Sequence, residues 1–252
     1  MSGNIGIHDL KPCDVLLYHS DATISQLIQW FDGSEYSHTS IYDGDMVVEA
    51  IEEGVRRRTL AVTMSDTIYA DVWRLRKDGH WIGSPDLPFT PVKDVIDGYV
   101  AESDRYAYEE ILLLALLCTS RRLPLPFLRW ALDRAADLLV SMANNGKEPM
   151  ICSELVYRCF SEAGQEYQPR ITGVDVRARI EIQHPPVQEG AVMKASDRIV
   201  AEFFDRYATA KKFDSRDELL MRALEADPNF VTPKDLKKSP DFVMIGRLDL
   251  SL

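Results

Sequence analysis

Three side chains in this sequence are of the types that nucleophilic acyl chemistry requires: the thiol of Cys152, the imidazole of His38 and the carboxylate of Glu49. The thiol lies in Met150-Ile151-Cys152-Ser153-Glu154-Leu155-Val156-Tyr157-Arg158-Cys159-Phe160, a stretch with the spacing of an amphipathic helix. Leu155, Val156, Cys159, Phe160 and Ala163 form its apolar stripe, Pro149 keeps the preceding segment from running into it as helix, and Gly164 supplies the stop. Cys152 therefore falls at or just before the first turn. Unpaired backbone N–H groups and the helix dipole favour an anion there, which lowers a thiol's pKa and increases the fraction of nucleophilic thiolate. The same N–H groups can stabilise the oxyanion that forms as a thiolate attacks a carbonyl. A cysteine at a helix start can equally be a small buried apolar residue, so the chemistry also needs a base.

The base comes from a hairpin. Tyr36 to Tyr42 and Asp45 to Ile51 flank Asp43-Gly44, the dipeptide favoured in a two-residue type I′ turn. With that dipeptide as the loop, Tyr42 faces Asp45 and Ile41 faces Met46. Ser40 then faces Val47, Thr39 faces Val48, and His38 faces Glu49. Thr39, Ile41, Met46, Val48 and Ala50 then form a core face, and His38, Ser40, Tyr42, Asp45, Val47 and Glu49 a mostly polar one. Directly opposed residues have Cβ atoms roughly 4.5–5.5 Å apart, so Glu49 would orient the His38 ring and favour its imidazolium form. A three-residue loop would instead bring Ala50 opposite His38. A solvated hairpin face with an incidental ion pair predicts the same residues.

The rest of the chain sets bounds on the reading. With 252 residues, 46% hydrophobic and 27% charged, the composition is that of a globular protein able to bury a real core. The net charge of −11 argues against a nucleic-acid backbone as partner and against general attraction to an anionic membrane. Cys13, Cys118, Cys152 and Cys159 have no metal-type spacing, and all four read as reduced thiols. No metal or cofactor is expected. The N-terminus lacks the basic and apolar regions of a secretory signal. The longest apolar run, Ile111 to Cys118, is far short of the roughly 20 residues of a membrane span. The expectation is a protein that is cytoplasmic as synthesised, reaching any outside target through a dedicated secretion system.

The other elements read as follows. Lys11-Pro12-Cys13-Asp14 is a turn before the strand Val15 to Tyr18, and Asp21 to Phe31 has helical spacing. Val55 to Leu60 continues the sheet and carries Arg56-Arg57-Arg58, a run that could meet an anionic substrate or simply form a solvated face. Ile68 to Leu75 is a strand, and Lys77 to Pro91, rich in Gly and Pro, is a loop. Helices are expected at Asp94 to Glu102, Tyr106 to Cys118, Phe127 to Met142, Ser196 to Lys212 and Ser215 to Ala226, and a last strand at Phe242 to Leu248. His8, His80 and His184 lie in polar, loop-like stretches and read as surface residues. With no Pro- or Ser-rich linker, residues 1–252 read as one domain with a mostly helical insertion at about 92–148 and further helices at about 195–227.

A thiol at a helix start, an imidazole on a strand and a carboxylate on the partner strand are the parts of a Cys–His–acid hydrolase. Ser37-His38-Thr39-Ser40-Ile41-Tyr42, Val48-Glu49-Ala50, Gly54-Val55 and Ile151-Cys152-Ser153-Glu154-Leu155-Val156 resemble the permuted papain-fold enzymes of the NlpC superfamily. The resemblance is nearest to the YiiX-like amidase or peptidase group, with lecithin:retinol acyltransferase-like proteins as more distant relatives. Lys11-Pro12-Cys13-Asp14-Val15-Leu16-Leu17 is similar to the family's opening strand, where Gly usually stands in the place of Cys13. Thr232-Pro233-Lys234-Asp235-Leu236 and Ser239-Pro240 also resemble the family. Residues about 78–145 and 165–230 carry none of it.

The resemblance implies an α+β, circularly permuted papain-like (NlpC-type) fold: an antiparallel sheet with the catalytic helix packed on it, plus a helical insertion. It implies Cys152 as nucleophile, His38 as base and Glu49 as orienting acid. The backbone N–H of Cys152 would be the main oxyanion donor, with Tyr18, His19 or Ser20 as a second. The activity implied is that of a cysteine amidase or peptidase, with cell-wall stem peptides as the commonest substrate class. An acyl-chain enzyme (thioesterase, lipid hydrolase or acyltransferase) could be built on the same fold, with Ile111 to Met142 walling a lipid site, and a non-catalytic binding module is the third reading. The expected partners are a peptide-like or acyl substrate and, for an exported effector, an immunity protein or a secretion machine.

Overall fold

The computed structural model of this protein describes residues 3–20, 34–51, 54–102, 152–171 and 231–249. The helices expected at 21–31, 106–118, 127–142, 196–212 and 215–226 lie outside the described residues. In chain order the elements are β1 (Asn4–Ile5), a 3-10 turn (Ile7–Asp9), β2 (Val15–His19), β3 (His38–Tyr42), β4 (Val47–Ile51), β5 (Gly54–Arg58) and α1 (Leu60–Thr63). They continue with β6 (Tyr69–Lys77), β7 (His80–Trp81), α2 (Thr90–Glu102), α3 (Cys152–Ser161), α4 (Pro233–Lys238) and β8 (Phe242–Leu248). The fold is mixed α+β, built on one large sheet of order β1-β8-β6-β2-β3-β4-β5, with β7 paired to β6. The sheet is antiparallel except at its edge, where β1 runs parallel to β8. Among the described residues no helix is long and apolar enough to cross a membrane.

Side chains alternate across a strand, and here both faces are covered. Val15, Leu17, Ile41, Val48 and Ala50 pack with Val92 and Ile96 of α2 and with Leu155, Val156, Cys159 and Phe160 of α3. Leu16, Tyr18, Tyr42, Val47, Ala70 and Val72 pack on the other face with Leu60 and Leu248. This is why β2 reads as an unbroken apolar run, and why the hairpin face expected to be polar holds Ser40, Val47 and Glu49 out of solvent. The stripe on α3 meets the sheet as its spacing required: Leu155, Val156, Cys159 and Phe160 have no accessible surface. Phe160 also packs edge-on against Phe242 of β8 at 5.4 Å.

The hairpin register differs from the expected one. Ile41 pairs with Val48 and Tyr42 with Val47, so the two-residue loop is Gly44-Asp45 rather than Asp43-Gly44. The cause is the Asp43 side chain, whose Oδ1 accepts the N–H groups of Asp45 (3.0 Å) and Met46 (2.8 Å), while its own N–H donates to Met46 O. Wrapping its own turn in this way keeps Asp43 on the strand side of the loop, and Gly44 (φ +113°) takes the first central position. The two-residue Asp-Gly loop with both φ values positive occurs elsewhere, at Asp78 (φ 52°) and Gly79 (φ 92°). It joins Lys77 to His80 within the stretch expected to be plain loop.

Three smaller features have local causes. The strand expected to reach Leu60 stops at Arg58, because the Thr59 hydroxyl caps α1 by accepting the Val62 N–H. Helix α2 begins at Thr90, with Pro91 in its first turn where a missing N–H is harmless. Pro233 to Leu236 belongs to α4, whose N-cap Thr232 forms a reciprocal box in which Thr232 accepts from the Asp235 N–H and Asp235 accepts from the Thr232 N–H.

Candidate active site

His38 opens β3, and Glu49 lies on β4. In the observed register Glu49 is one diagonal from His38 rather than opposite it. A shift of two residues preserves the face, so the side chains still meet: His38 Nε2 lies 2.7 Å from Glu49 Oε2. The other oxygen of Glu49 accepts from Arg58 Nη1 (3.2 Å) and Thr63 Oγ1 (3.2 Å). Glu49 is 1% exposed, so all its partners act in a poorly solvated place. Burial opposes its charge, but the His38 and Arg58 cations and the Thr63 hydroxyl outweigh that and lower its pKa.

The arginine run is divided by strand alternation. Arg57 pairs with Asp43 (2.6 Å) and with Asp97 of α2, Arg58 points to Glu49, and Arg56 donates to the Val55 carbonyl. It is not a single solvated face.

Cys152 is the first residue of α3. The β3–β4 ladder is paired at Tyr42–Val47 and Ile41–Val48, and α3 packs on both strands. His38 and Thr39 are the residues whose charge and hydrogen bonding act on the Cys152 thiol. Burial alone would raise the thiol pKa, but the charge and hydrogen bond of His38, with smaller contributions from Thr39, lower it. Burial likewise opposes the His38 cation, yet Cys152 and Glu49 outweigh it and hold the imidazole pKa up at about 10. Both shifts favour a thiolate–imidazolium pair at neutral pH. With Nε2 engaged by Glu49, Nδ1 is the ring nitrogen left for the sulfur.

The other free thiols differ. Burial pushes both Cys13 and Cys159 up, and each is fully inaccessible. Cys118 lies outside the described residues.

A cavity of roughly 630 Å³ opens beside the His38–Glu49 pair, lined among the described residues by Tyr18, Ser37, Arg58, Thr63, Val62 and Ile68 among others. Ser20 also lines it. The three residues considered as a second oxyanion donor have their polar atoms engaged. The Tyr18 hydroxyl is 2.6 Å from Ser40 Oγ, and its ring lies 5.4 Å from the His38 ring. Ser20 Oγ donates to the Asp66 carbonyl at 2.8 Å. His19 turns to the Glu35 carbonyl (2.6 Å) and stacks on Tyr69, and it does not line the cavity. The sequence reading passed over Ser37, whose hydroxyl lines the cavity, is buried and has no hydrogen-bond partner. Its place next to His38 was the available signal. His8 and His80 are exposed, and His80 faces Asp86 at 3.0 Å.

No family model and no curated protein matches the chain. Among solved structures it is similar to the crystal structure of metalloprotein yiiX from Escherichia coli O157:H7 (DUF1105), at 14% identity over 94% of this chain and 96% of that one, with a TM-score of 0.44. Among the described residues here, no group of three or more His, Cys, Asp or Glu side chains could hold a metal ion. At that identity and TM-score no residue role passes from one protein to the other, and the site rests on its own geometry.

Proposed function

We propose that this protein is a cysteine hydrolase that cleaves an amide bond, with Cys152 as nucleophile, His38 as acid and base, and Glu49 as the group that orients and charges the ring. The reading rests on one arrangement: a thiol at a helix start beside an imidazole whose far nitrogen is held 2.7 Å from a buried carboxylate. The order His, Glu, then Cys along the chain is that of a permuted papain-like fold, and we take the architecture in that sense.

The steps follow from the charges. The thiolate attacks the carbonyl carbon, and the oxyanion is met by the Cys152 N–H at the start of α3. The imidazolium gives its proton to the departing amine as the C–N bond breaks, leaving a thioester on Cys152 and a neutral ring. His38 then takes a proton from water, the hydroxide attacks the thioester, and the thiolate leaves to restore the ion pair. Glu49 keeps the ring in place and stabilises its charge throughout. A peptidase or amidase acting on peptidoglycan stem peptides is the substrate reading carried by the sequence resemblance. It would place the site of action outside the cytoplasm.

A second reading has an observation of its own. Val62 (46% exposed) and Ile68 (57%) are large apolar side chains left in solvent on the cavity wall, which suits an acyl-chain substrate for a thioesterase, lipid hydrolase or acyltransferase on the same machinery. Labelling the intact protein with electrophilic probes that carry either a stem-peptide or a fatty-acyl group tests both. Peptide-probe labelling of Cys152 supports the amidase, and preference for the acyl probe moves the assignment to the second reading. Labelling by neither, with Cys152 intact, rejects the hydrolase.

A further inference from the structure

The arginine run of β5 ends at Arg58, and this side chain differs from other arginines that meet buried carboxylates. Arg74 grips Asp14 with two N–H groups, at 2.6 and 2.7 Å, and Arg247 grips Asp71 in the same way, at 2.7 and 3.1 Å. Arg58 reaches Glu49 through Nη1 alone, at 3.2 Å, beyond the roughly 2.7–2.9 Å of a charge-assisted bond. Among the described residues it makes no other hydrogen bond or ion pair. Glu49 has other partners on both of its oxygens, His38 at 2.7 Å and Thr63 at 3.2 Å. A guanidinium carries five N–H donors, so most of this fork is uncommitted. It is also within reach of a ligand: 37% of the side chain is exposed, and Arg58 lines the cavity that His38 and Glu49 line.

We propose that Arg58 is a substrate anchor, and that the substrate of this site carries a carboxylate which the uncommitted side of the guanidinium binds while the scissile carbonyl lies at Cys152. The inference rests on the reading of Cys152 as the nucleophile and narrows its substrate class. The planar, two-oxygen geometry of a carboxylate matches the guanidinium fork. The charge of the cavity points to the same group. Among the described residues its charged wall is His38, Arg58, Glu49 and Asp66, two groups that can be cations against two carboxylates. A monoanion finds one uncommitted cation there. A phosphate dianion finds no second one, because His38 is turned to Glu49. Arg56 donates to the Val55 carbonyl and Arg57 pairs with Asp43 and Asp97, and neither lines the cavity, so the selection falls on one member of the run.

The test is affinity labelling of the full chain with N-iodoacetyl derivatives of glycine, β-alanine, γ-aminobutyric acid and aminocaproic acid, each compared with its carboxamide. In every case the thiolate displaces iodide, forming a C–S bond as the C–I bond breaks, so the members of a pair differ only in the distal charge. Cys152 adducts are counted by mass spectrometry at neutral pH, and the ratio of acid to amide rates cancels any change in the thiolate itself. Without an anchor the ratio falls below one, because the thiolate and the net charge of −11 repel a carboxylate. In the wild type it should rise to about tenfold at the tether length that spans the cavity, the size expected of one hydrogen-bonded ion pair. Arg58→Met should return it below one, Arg58→Lys should keep part of the preference, and Arg56→Met should leave the wild-type ratio. A wild-type ratio below one at every tether overturns the proposal, as does an Arg58→Met ratio equal to that of the wild type. So does an Arg56→Met loss as large as that of Arg58→Met, because general charge attraction would then be the cause. Failure of the carboxamide probes to single out Cys152 is a different result, which rejects the nucleophile itself and with it any substrate read at this site.

Discussion

His38 Nε2 and Glu49 Oε2 are 2.7 Å apart across a diagonal of two neighbouring strands, and the carboxylate is nearly sealed from solvent. A buried carboxylate of this kind acts on its partner as a charge as well as a hydrogen-bond acceptor, and replacing it by an amide separates the two contributions. In Glu49→Gln the ring keeps an acceptor but loses the charge that helps hold its pKa at about 10. The His38 ring signals, followed by NMR through a pH titration, should then show a midpoint at least about one unit below that of the wild type. Turnover should fall on the order of tenfold to several hundredfold, within the range of positioned acid–base groups. Asp45→Asn, an exposed position at the turn, should change neither.

The same shifts set a pH dependence of stability. The raised His38 pKa contributes stability that is fully present below the ordinary imidazole value, about 6.5, and is lost as pH rises through about 10. The lowered Glu49 pKa contributes stability that is present above the ordinary carboxylate range and lost as pH falls through its folded value. The gap in urea midpoint between the wild type and His38→Gln should therefore be widest below about pH 6.5 and narrow steadily between about pH 6.5 and 10. A gap that widens over that range would mean that His38 is neutral in the native state.

Cys13 has φ +68°, a left-handed backbone that side chains other than glycine adopt at a cost. This gives a physical reason for the glycine that usually stands at this place in the family the sequence resembles. Cys13→Gly relieves the strain while giving up a buried thiol, so its net effect should be within about 1 kcal/mol. Cys13→Val, β-branched at a positive φ, should destabilise by on the order of 2–3 kcal/mol. Urea unfolding of the two variants checks both values. Equal destabilisation would mean that packing rather than backbone conformation governs the position.

The sequence made the strands and α3 legible because their signals are periodic. Alternation in β3 and β4 and the Leu155–Phe160 stripe each require a particular buried face, the unbroken apolar run of β2 requires two, and the packing uses those faces. The adjacency of His38 and Glu49 was readable for the same reason, since a register shift of two leaves both on one face. What was not legible depends on single side chains closing on their own backbone. Asp43 and Thr59 each take backbone N–H groups and so end a strand or move a loop by a residue, and Asp235 closes α4. The Asp-Gly dipeptide occurs at 32–33, 43–44, 78–79 and 97–98, and nothing in its type says that Asp78-Gly79 rather than Asp43-Gly44 adopts the two-positive-φ turn. The cavity hydroxyls of Ser37 and Thr63 come from the residue before β3 and from the end of α1, so no local spacing announces them.

The central claim is that Cys152 is a thiolate held by His38 at neutral pH. Competitive alkylation of the native protein with limiting iodoacetamide at about pH 6, mapped by mass spectrometry, tests it directly. An ordinary thiol with a pKa near 8.5 is less than about 1% ionised there, whereas a helix-terminal thiolate beside an imidazolium is largely ionised. The account predicts that Cys152 is modified first, with the buried Cys13 and Cys159 untouched, and that His38→Ala abolishes this selectivity. Modification of Cys13, Cys118 or Cys159 ahead of Cys152, or undiminished Cys152 reactivity in His38→Ala, would contradict it.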